Sequence, residues 1–488
     1  MRYHSTRNLA ETVDSAQAVL RGLAPDGGLY VPQQLPAFDA MACLQKDPYA
    51  MAEQILSALL PDIPHMDRLV ERAYRGKFSA EDLTPTVSVG PFTVLELFHG
   101  PTSAFKDVAL CMLPQLLTAA KEQAGMQENI LILTATSGDT GKAALAGFQD
   151  VPGVGICVFY PNGGVSRVQR AQMVTQEGEN VRVCAVEGNF DDAQTGVKRI
   201  FAACQDGKLL EGTGLCLSSA NSINIGRLAP QIMYYFKAYR DLVQRGQIAL
   251  GDRVNFSVPT GNFGDILAGY LAKRLGLPVG KLICASNANC VLTDFIRTGT
   301  YDRRRPLQKT TSPSMDILVS SNLERLLFLL SDGDAALVAG LMEKLNTEGS
   351  YTVSQGMLDA IQAQFWAGWC DDTAAGQAIG RVWQEHRYLC DPHTATAWAV
   401  AEDYVNQTGD TTPMVVLSTA SVYKFPTAVL EALEGNAQGD AFAQMDRLHR
   451  LTGIPLPENL ATLQGKPQRH LDCIPRDAML SYVLDIRI

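Results

Sequence analysis

From about residue 96 onward, short β-branched or apolar runs alternate with longer stretches of helical periodicity. The runs are Asn129–Ala135, Val154–Tyr160, Asn180–Val186, Val254–Pro259, Lys281–Ser286 and Met414–Thr419. Helical patterns fall between many of them, at Asp107–Gln123, Asp191–Ala203, Ile223–Val243 and Asp265–Leu275. Strands and helices alternating across glycine-bearing turns predict an α/β fold with mainly parallel sheets. Ligands in such sheets sit beyond the carboxyl ends of the strands. The residues that follow each strand are therefore the ones to read for chemistry.

Two regions break this rhythm. Residues 1–95 mix helical stretches, such as Ala10 to Leu23, with a glycine turn at Asp26-Gly27-Gly28, and read as an N-terminal subdomain. The α/β core is expected over 96–290 and again over 391–488, with a mostly helical insertion at 291–390. The insertion opens with a basic loop, Arg303-Arg304-Arg305-Pro306, read as solvated. Its Leu323–Leu330 stretch, with Arg325 interposed, reads as an apolar packing face. The regular pattern returns at Asp391-Pro392-His393, where Asp391 suits an N-cap and Pro392 the first helical position.

Composition narrows the function classes. The chain has 488 residues, 46% apolar and 19% charged, with a net charge of −10 and no basic tract. Nucleic acid is thus an unsuited partner. An anionic substrate has to be held by local groups against the global field. No stretch reaches the length of a membrane span, and the N-terminus lacks an apolar signal core. The 11 cysteines are scattered without a CxxC pair, the pattern of reduced thiols in a cytoplasm. His386 and His393 lie near Cys390, but at no spacing usual for zinc, and no metal is expected.

Four segments could carry chemistry. In His99-Gly100-Pro101-Thr102-Ser103-Ala104-Phe105-Lys106-Asp107, a lysine follows a turn of small residues and opens an apolar helix. Desolvation there would lower its pKa and favour the neutral amine that forms imines; a lysine at a helix start is otherwise ordinarily exposed. Thr136-Ser137-Gly138-Asp139-Thr140-Gly141-Lys142 follows a strand, with the next helix expected near Lys142 and Asp139 or Thr140 as a cap. Its hydroxyls and a helix N-terminus suit a carboxylate or phosphate, and its spacing is not that of a Walker A loop. Pro259-Thr260-Gly261-Asn262-Phe263-Gly264-Asp265 also links strand to helix and offers a nest of backbone donors for a phosphate. Leu417-Ser418-Thr419-Ala420 ends a strand with hydroxyls at the sheet's ligand edge. An ordinary capped turn would explain any one of the last three. Together they make a pyridoxal-phosphate (PLP) site plausible, since PLP needs an amine, a phosphate cradle and a partner for its ring nitrogen.

The string HGPTSAFKD resembles the lysine segment of threonine synthases, members of the tryptophan-synthase β-like, fold-type-II PLP enzymes. TSGDTG, PTGNFGD and LSTA follow in the family's order. Leu20–Pro32, Ser218–Gln231 and Asp391–Ala395 are also similar to family segments. The resemblance implies two α/β lobes with PLP between them, an N-terminal subdomain and a helical insertion. It implies that Lys106 is the Schiff-base lysine and catalytic base. It places Gly261, Asn262, Phe263, Gly264 and Asp265 at the cofactor phosphate, Thr419 at the pyridine nitrogen and Asp139 near the ring hydroxyl. Ser137 and Thr140 become candidates for the substrate carboxylate, and Asn221, Ser222, Asn224 and Arg227 for the substrate phosphate. The implied reaction converts O-phospho-L-homoserine and water to L-threonine and phosphate, by a monomer or homodimer. A phospho-homoserine lyase, a cysteate-synthase-like enzyme and a PLP-binding protein without turnover are the alternatives, separated by their products. Two departures bear on substrate preference. Ser421-Val422-Tyr423 stands where the family commonly has His-Pro after its Ser-Thr-Ala, and Ile225-Gly226 where an aromatic residue is more usual.

Overall fold

The structure, a computed structural model, describes residues 1–136, 138–204 and 208–487. Its frame is a pair of sheets. The larger has six strands in the order Phe365–Trp369, Val279–Ser286, Val254–Pro259, Met414–Ser418, Phe92–Glu96 and Thr86–Val89. All neighbours are parallel except the terminal hairpin of Thr86–Val89 on Phe92–Glu96. The second sheet has five strands, all parallel: Asp472–Pro475, Val181–Glu187, Val154–Pro161, Asn129–Ala135 and Leu215–Ser219. A small antiparallel sheet of Thr12–Asp14, Arg2–Ser5 and Tyr30–Pro32 forms near the N-terminus.

The α/β expectation with mainly parallel sheets holds, and every expected strand is present within two residues of its bounds. Five further strands of these two sheets were not legible. Phe365–Trp369, Phe92–Glu96, Thr86–Val89, Leu215–Ser219 and Asp472–Pro475 are five residues or fewer. The stretch expected as one helix over Ile223–Val243 is divided into Ile225–Leu228, a 3-10 turn at Ala229–Gln231 and Ile232–Gln244. Pro230 lies in that turn; it has no amide hydrogen to continue the ladder. Asp391 is an N-cap as expected, accepting from the amides of His393 and Thr394.

The Lys106–Gln123 helix is buried on nearly all sides and packs on the Asp139–Phe148 helix of the second lobe. Their crossing is close. A Cβ on Gly147 would lie 2.0 Å from the Leu110 carbonyl oxygen, so only glycine lets these two helices meet as they do. One helix begins with Lys106 and the other with Asp139, so this contact sets the separation of the site's charged groups.

The Leu323–Leu330 helix departs from the purely apolar face expected of it. Glu324 accepts from Arg7 Nε and Nη2, each at 2.8 Å, and from the Thr6 hydroxyl. Arg325 is 1% exposed and donates to the carbonyl of Tyr30, the side chain of Asn322 and the carbonyl of Ile223. The two charges tie the N-terminal segment to the edge of the site.

Gly147→Ala should lower stability by about 2–3 kcal/mol, the cost of overpacking against an unyielding backbone. Gly340 lies in the Ala335–Thr347 helix with open space where a Cβ would go, so Gly340→Ala should instead add about 0.5–1 kcal/mol. Denaturant midpoints of the two variants should move in opposite directions.

Candidate active site

The lysine segment is held by its own chain and by the end of a neighbouring strand. Asp107 accepts from the Thr102 amide at 2.8 Å and from its hydroxyl, closing the turn that precedes the helix. A Cβ on Gly100 would meet that carboxylate at 2.5 Å. The Phe105 amide donates to the Thr419 carbonyl at 2.8 Å and the Ser421 amide to the Ser103 carbonyl at 3.1 Å. The first and fourth motifs are thereby zipped together, and Lys106 opens the helix beside Thr419.

Burial pushes the Lys106 amine down from 10.5 to about 8. Asp139 opposes that shift; Arg227 and Lys424 add to it. Asp139 lies 3.9 Å from Lys106 Nζ and 2.6 Å from Lys424 Nζ, and it accepts from the Gln169 amide at 2.8 Å. Burial alone would raise its pKa, but the two lysines and Gln169 outweigh it and hold the carboxyl well below the usual range. The helix starts at Asp139, not near Lys142, and Gly138 takes the N-cap with φ of 139°. The Asp139 side chain is committed to lysines rather than to capping. Thr136 does the local work instead: its hydroxyl accepts from the amides of Gly138 and Gly141.

The Gly261–Asp265 turn presents backbone donors. Its carbonyls are turned away: Ser320 donates to the Gly261 oxygen, and Asn322 holds the Asn262 oxygen through both its amide and its side chain. Phe263 sits at φ of 62° as the N-cap of the Gly264–Arg274 helix, a conformation costly for a residue with a Cβ. The amides of Gly261 through Asp265 donate to no group among the described residues. A Cβ on Gly261 would lie 2.6 Å from the Ser314 carbonyl oxygen, so this glycine admits the Ser314 loop. Asp265 accepts from Tyr234 and Tyr235, while its Oδ2 is buried without a partner. Burial raises its pKa to about 6 against the pull of those phenols and of Lys106.

One cavity of about 2410 Å³ joins these parts. It is lined by Lys106, Asp139, Thr140, the whole Gly261–Asp265 turn, Thr419, Asn221, Ser222 and Arg227. Arg227 is 5% exposed, donates to the Ala220 carbonyl at 2.7 Å and has no carboxylate partner among the described residues. Ser137 lies outside the described residues. Asn224 is brought near but does not line the cavity; its side chain caps a short helix and donates to the carbonyls of Val19 and Ser219. Ser418 points to the other face of its strand, where Tyr388 and Thr394 donate to it. The departures at Ile225-Gly226 and Ser421-Val422-Tyr423 do not line the cavity either.

Three participants were missed in the sequence. Lys424 follows the fourth motif and is fully buried. Ser314 accepts from Lys106 Nζ at 3.1 Å. His393 lines the cavity and accepts from the Ser314 amide. Lys424 and His393 stood beside recognised motifs; the serine- and threonine-rich turn at 310–314 was the signal for Ser314.

This arrangement, an amine of lowered basicity facing a donor-lined cradle between two parallel sheets, is matched by the family profile "Pyridoxal-phosphate dependent enzyme" over residues 79–420. The profiles "Threonine synthase N terminus" and "Threonine synthase, C-terminal" match residues 2–74 and 394–480. The chain is 40% identical over 483 residues to threonine synthase of Pseudomonas aeruginosa, covering 96% of this chain and 98% of that one. The structure of PLP-bound threonine synthase from Brucella melitensis superposes with a TM-score of 0.87 at 39% identity over 99% of both chains. The yeast threonine synthase structure gives 0.87 at 32% identity, over 99% of this chain and 98% of that one. Human threonine synthase-like 1 is 41% identical over 437 residues, which are 86% of this chain and 58% of that longer protein. The chain belongs to the threonine synthase family of PLP-dependent enzymes.

Reductive alkylation of Lys106 in the cofactor-free chain should show a midpoint near pH 8, against 10.5 for an ordinary lysine. The Asp139 carboxylate favours the ammonium, so Asp139→Asn should move that midpoint further down. Peptide-resolved mass spectrometry across pH reads both.

Proposed function

We propose that the protein uses PLP, joined to Lys106, to convert O-phospho-L-homoserine and water to L-threonine and phosphate. The observation that supports this is that Lys106, the amide donors of Gly261–Asp265 and Arg227, which has no carboxylate partner among the described residues, line one cavity. A phosphorylated cofactor and a phosphorylated substrate together require two anion sites.

The residues fit the cofactor. Five amides without acceptors at the head of an 11-residue helix form a phosphate cradle. The Thr419 hydroxyl makes no hydrogen bond among the described residues and faces the cavity, free to meet a ring nitrogen. Bound PLP supplies an electron sink for carbanions next to the substrate's amino group.

The chain's own groups do the rest. Lys106, about a tenth of it neutral at pH 7 where an ordinary lysine is almost wholly charged, can take a proton from a carbon and return it. Asp139 and Lys424 fix the charge beside it, so the lysine changes protonation against a constant field. Thr140, at the start of the Asp139–Phe148 helix, suits the substrate carboxylate. Arg227, with Asn221 and Ser222 lining the same wall, suits the substrate phosphate and its release as an anion. None of the eleven cysteines forms a disulfide among the described residues, which supports a reducing compartment such as the cytoplasm.

Borohydride reduction of the purified protein with PLP should place the pyridoxyl group on Lys106 by peptide mapping. Lys106→Ala should lose turnover, read as threonine and phosphate formed. A label on another lysine, or 2-oxobutyrate or cysteate as product, would reject this reading.

Thr419 offers a second check. A hydroxyl cannot hold the ring nitrogen protonated, whereas a carboxylate can. Thr419→Asp should cost normal turnover and raise conversion of the cofactor to its amine form, while Thr419→Ser should stay near the parent. Parent-like spectra and rates in both variants would show that Thr419 does not touch the ring.

A further inference from the structure

We propose that Ser314 is a positioning residue for this reaction: its hydroxyl takes one N–H of Lys106 and so aims the lysine's lone pair at the substrate. The inference rests on the PLP reading of the site and names a residue that none of the four motifs contains.

Ser314 Oγ accepts from Lys106 Nζ at 3.1 Å, the one hydrogen bond this amine makes among the described residues. The same hydroxyl donates toward Asp139 Oδ2 at 3.5 Å. A hydroxyl with its hydrogen directed toward a carboxylate turns an oxygen lone pair toward the amine. It therefore acts on Lys106 as a fixed acceptor. A lysine side chain has a flexible four-carbon stem, and this one is 8% exposed. Its nitrogen needs a directional partner if its lone pair is to face one point, and Asp139 at 3.9 Å is too far to be one.

Ser314 is itself locked from three sides. Its amide donates to His393 Nε2 at 3.2 Å. A backbone amide can only donate, so Nε2 is the acceptor and Nδ1 carries the hydrogen, which goes to Asp391 at 2.7 Å. His393 is thus a neutral latch, anchored on the N-cap residue of its own helix. Below the loop, Asp316 accepts from Thr310, Asn287 and Asn289 at 2.7–3.0 Å. Opposite, the loop's Ser314 carbonyl occupies the space that a Cβ on Gly261 would fill, at 2.6 Å. The glycine that opens the phosphate cradle thereby also admits the hydroxyl that aims the lysine. Such investment in one short 3-10 turn, Pro313–Met315, is unnecessary for a loop that merely covers the cavity.

The charged groups acting on Lys106 are Asp139, Lys424, Arg227, Asp107 and Asp265. None is changed by substitution at Ser314. Loss of the acceptor leaves the ammonium less stabilised, so the amine should ionise at lower pH.

The test pairs two readouts. In the cofactor-free chain, the pH midpoint for capture of PLP by Lys106, trapped with borohydride, should fall by roughly half a unit to one unit in Ser314→Ala. In the holoenzyme, Ser314→Ala should lose about tenfold in kcat with KM for O-phospho-L-homoserine held within about twofold, the pattern of an interaction needed in the transition state. Ser314→Thr, which keeps the hydroxyl, should restore both. If Ser314→Ala does not fold, Ser314→Cys, with a poor acceptor of similar size, takes its place under the same criteria. An unmoved midpoint, an unmoved kcat, or a variant that loses only thermal stability overturns the proposal. Failure of the parent to carry the label on Lys106 overturns the PLP reading instead, and this inference with it.

Discussion

Asp139, on the helix that follows the Asn129–Ala135 strand of the five-stranded sheet, holds the Lys424 ammonium at 2.6 Å and stands 3.9 Å from that of Lys106. Lys106 and Lys424 both belong to segments that leave the six-stranded sheet. All three are nearly or fully buried. Charges removed from water are costly unless paired or hydrogen-bonded, and removing one partner of a buried pair costs about 3–5 kcal/mol. The cluster therefore constrains where the carboxyl ends of the two sheets can lie. Other close approaches answer to it. Gly147 brings the Lys106 helix against the Asp139 helix, and the Phe105–Thr419 hydrogen bond brings the lysine against the end of the Met414–Ser418 strand.

The Gly261–Asp265 turn is held differently, by its carbonyls. Ser320 and Asn322 engage the oxygens of Gly261 and Asn262 and so turn the amides inward. Asn322 is gripped by Arg325, which also holds the carbonyls of Tyr30 and Ile223. A buried arginine with planar, directional donors suits such a junction, where a lysine could not replace it. Through it the N-terminal segment, the wall that carries Asn221 and Ser222, and the cradle share one fixed point. The small N-terminal sheet thus bears on the site's geometry without lining it.

How much was legible follows from what each feature depends on. The paired α/β pattern was visible because six apolar runs are long enough to be read alone. Phe92–Glu96 and Leu215–Ser219 were not, because their strand character comes from partners distant in sequence. The four motifs were visible because glycine, helix starts and strand ends coincide locally. Lys424 and Ser314 were harder for the opposite reason: the serine- and threonine-rich turn at 310–314 marks a polar loop, but that Ser314 faces Lys106, 208 residues away, is set by the fold alone. Asn224 looked like its neighbours Asn221 and Ser222, yet its side chain caps a helix, and only the fold separates the two uses. Arg325 read as an interruption of an apolar stripe because a buried arginine is rare and two of its partners here, the carbonyls of Tyr30 and Ile223, are remote in sequence.

The acidic whole and the anion-binding site are compatible because the relevant field is local. A net charge of −10 is spread over a surface of 18489 Å² and screened by salt within about 8–10 Å. Arg227 lies inside that skin. Burial lowers its pKa to about 10, which leaves it charged at neutral pH. Because it is buried, its charge is already desolvated before any ligand arrives, and no carboxylate among the described residues neutralises it. A phosphate that enters meets a cation whose dehydration cost was met during folding, so more of the electrostatic attraction appears as binding. The same logic separates the two anion sites. The cradle offers only backbone dipoles and suits a group that stays. Arg227 offers a full charge at the cavity wall, one that stabilises negative charge most where it is increasing, as on a phosphate that is leaving.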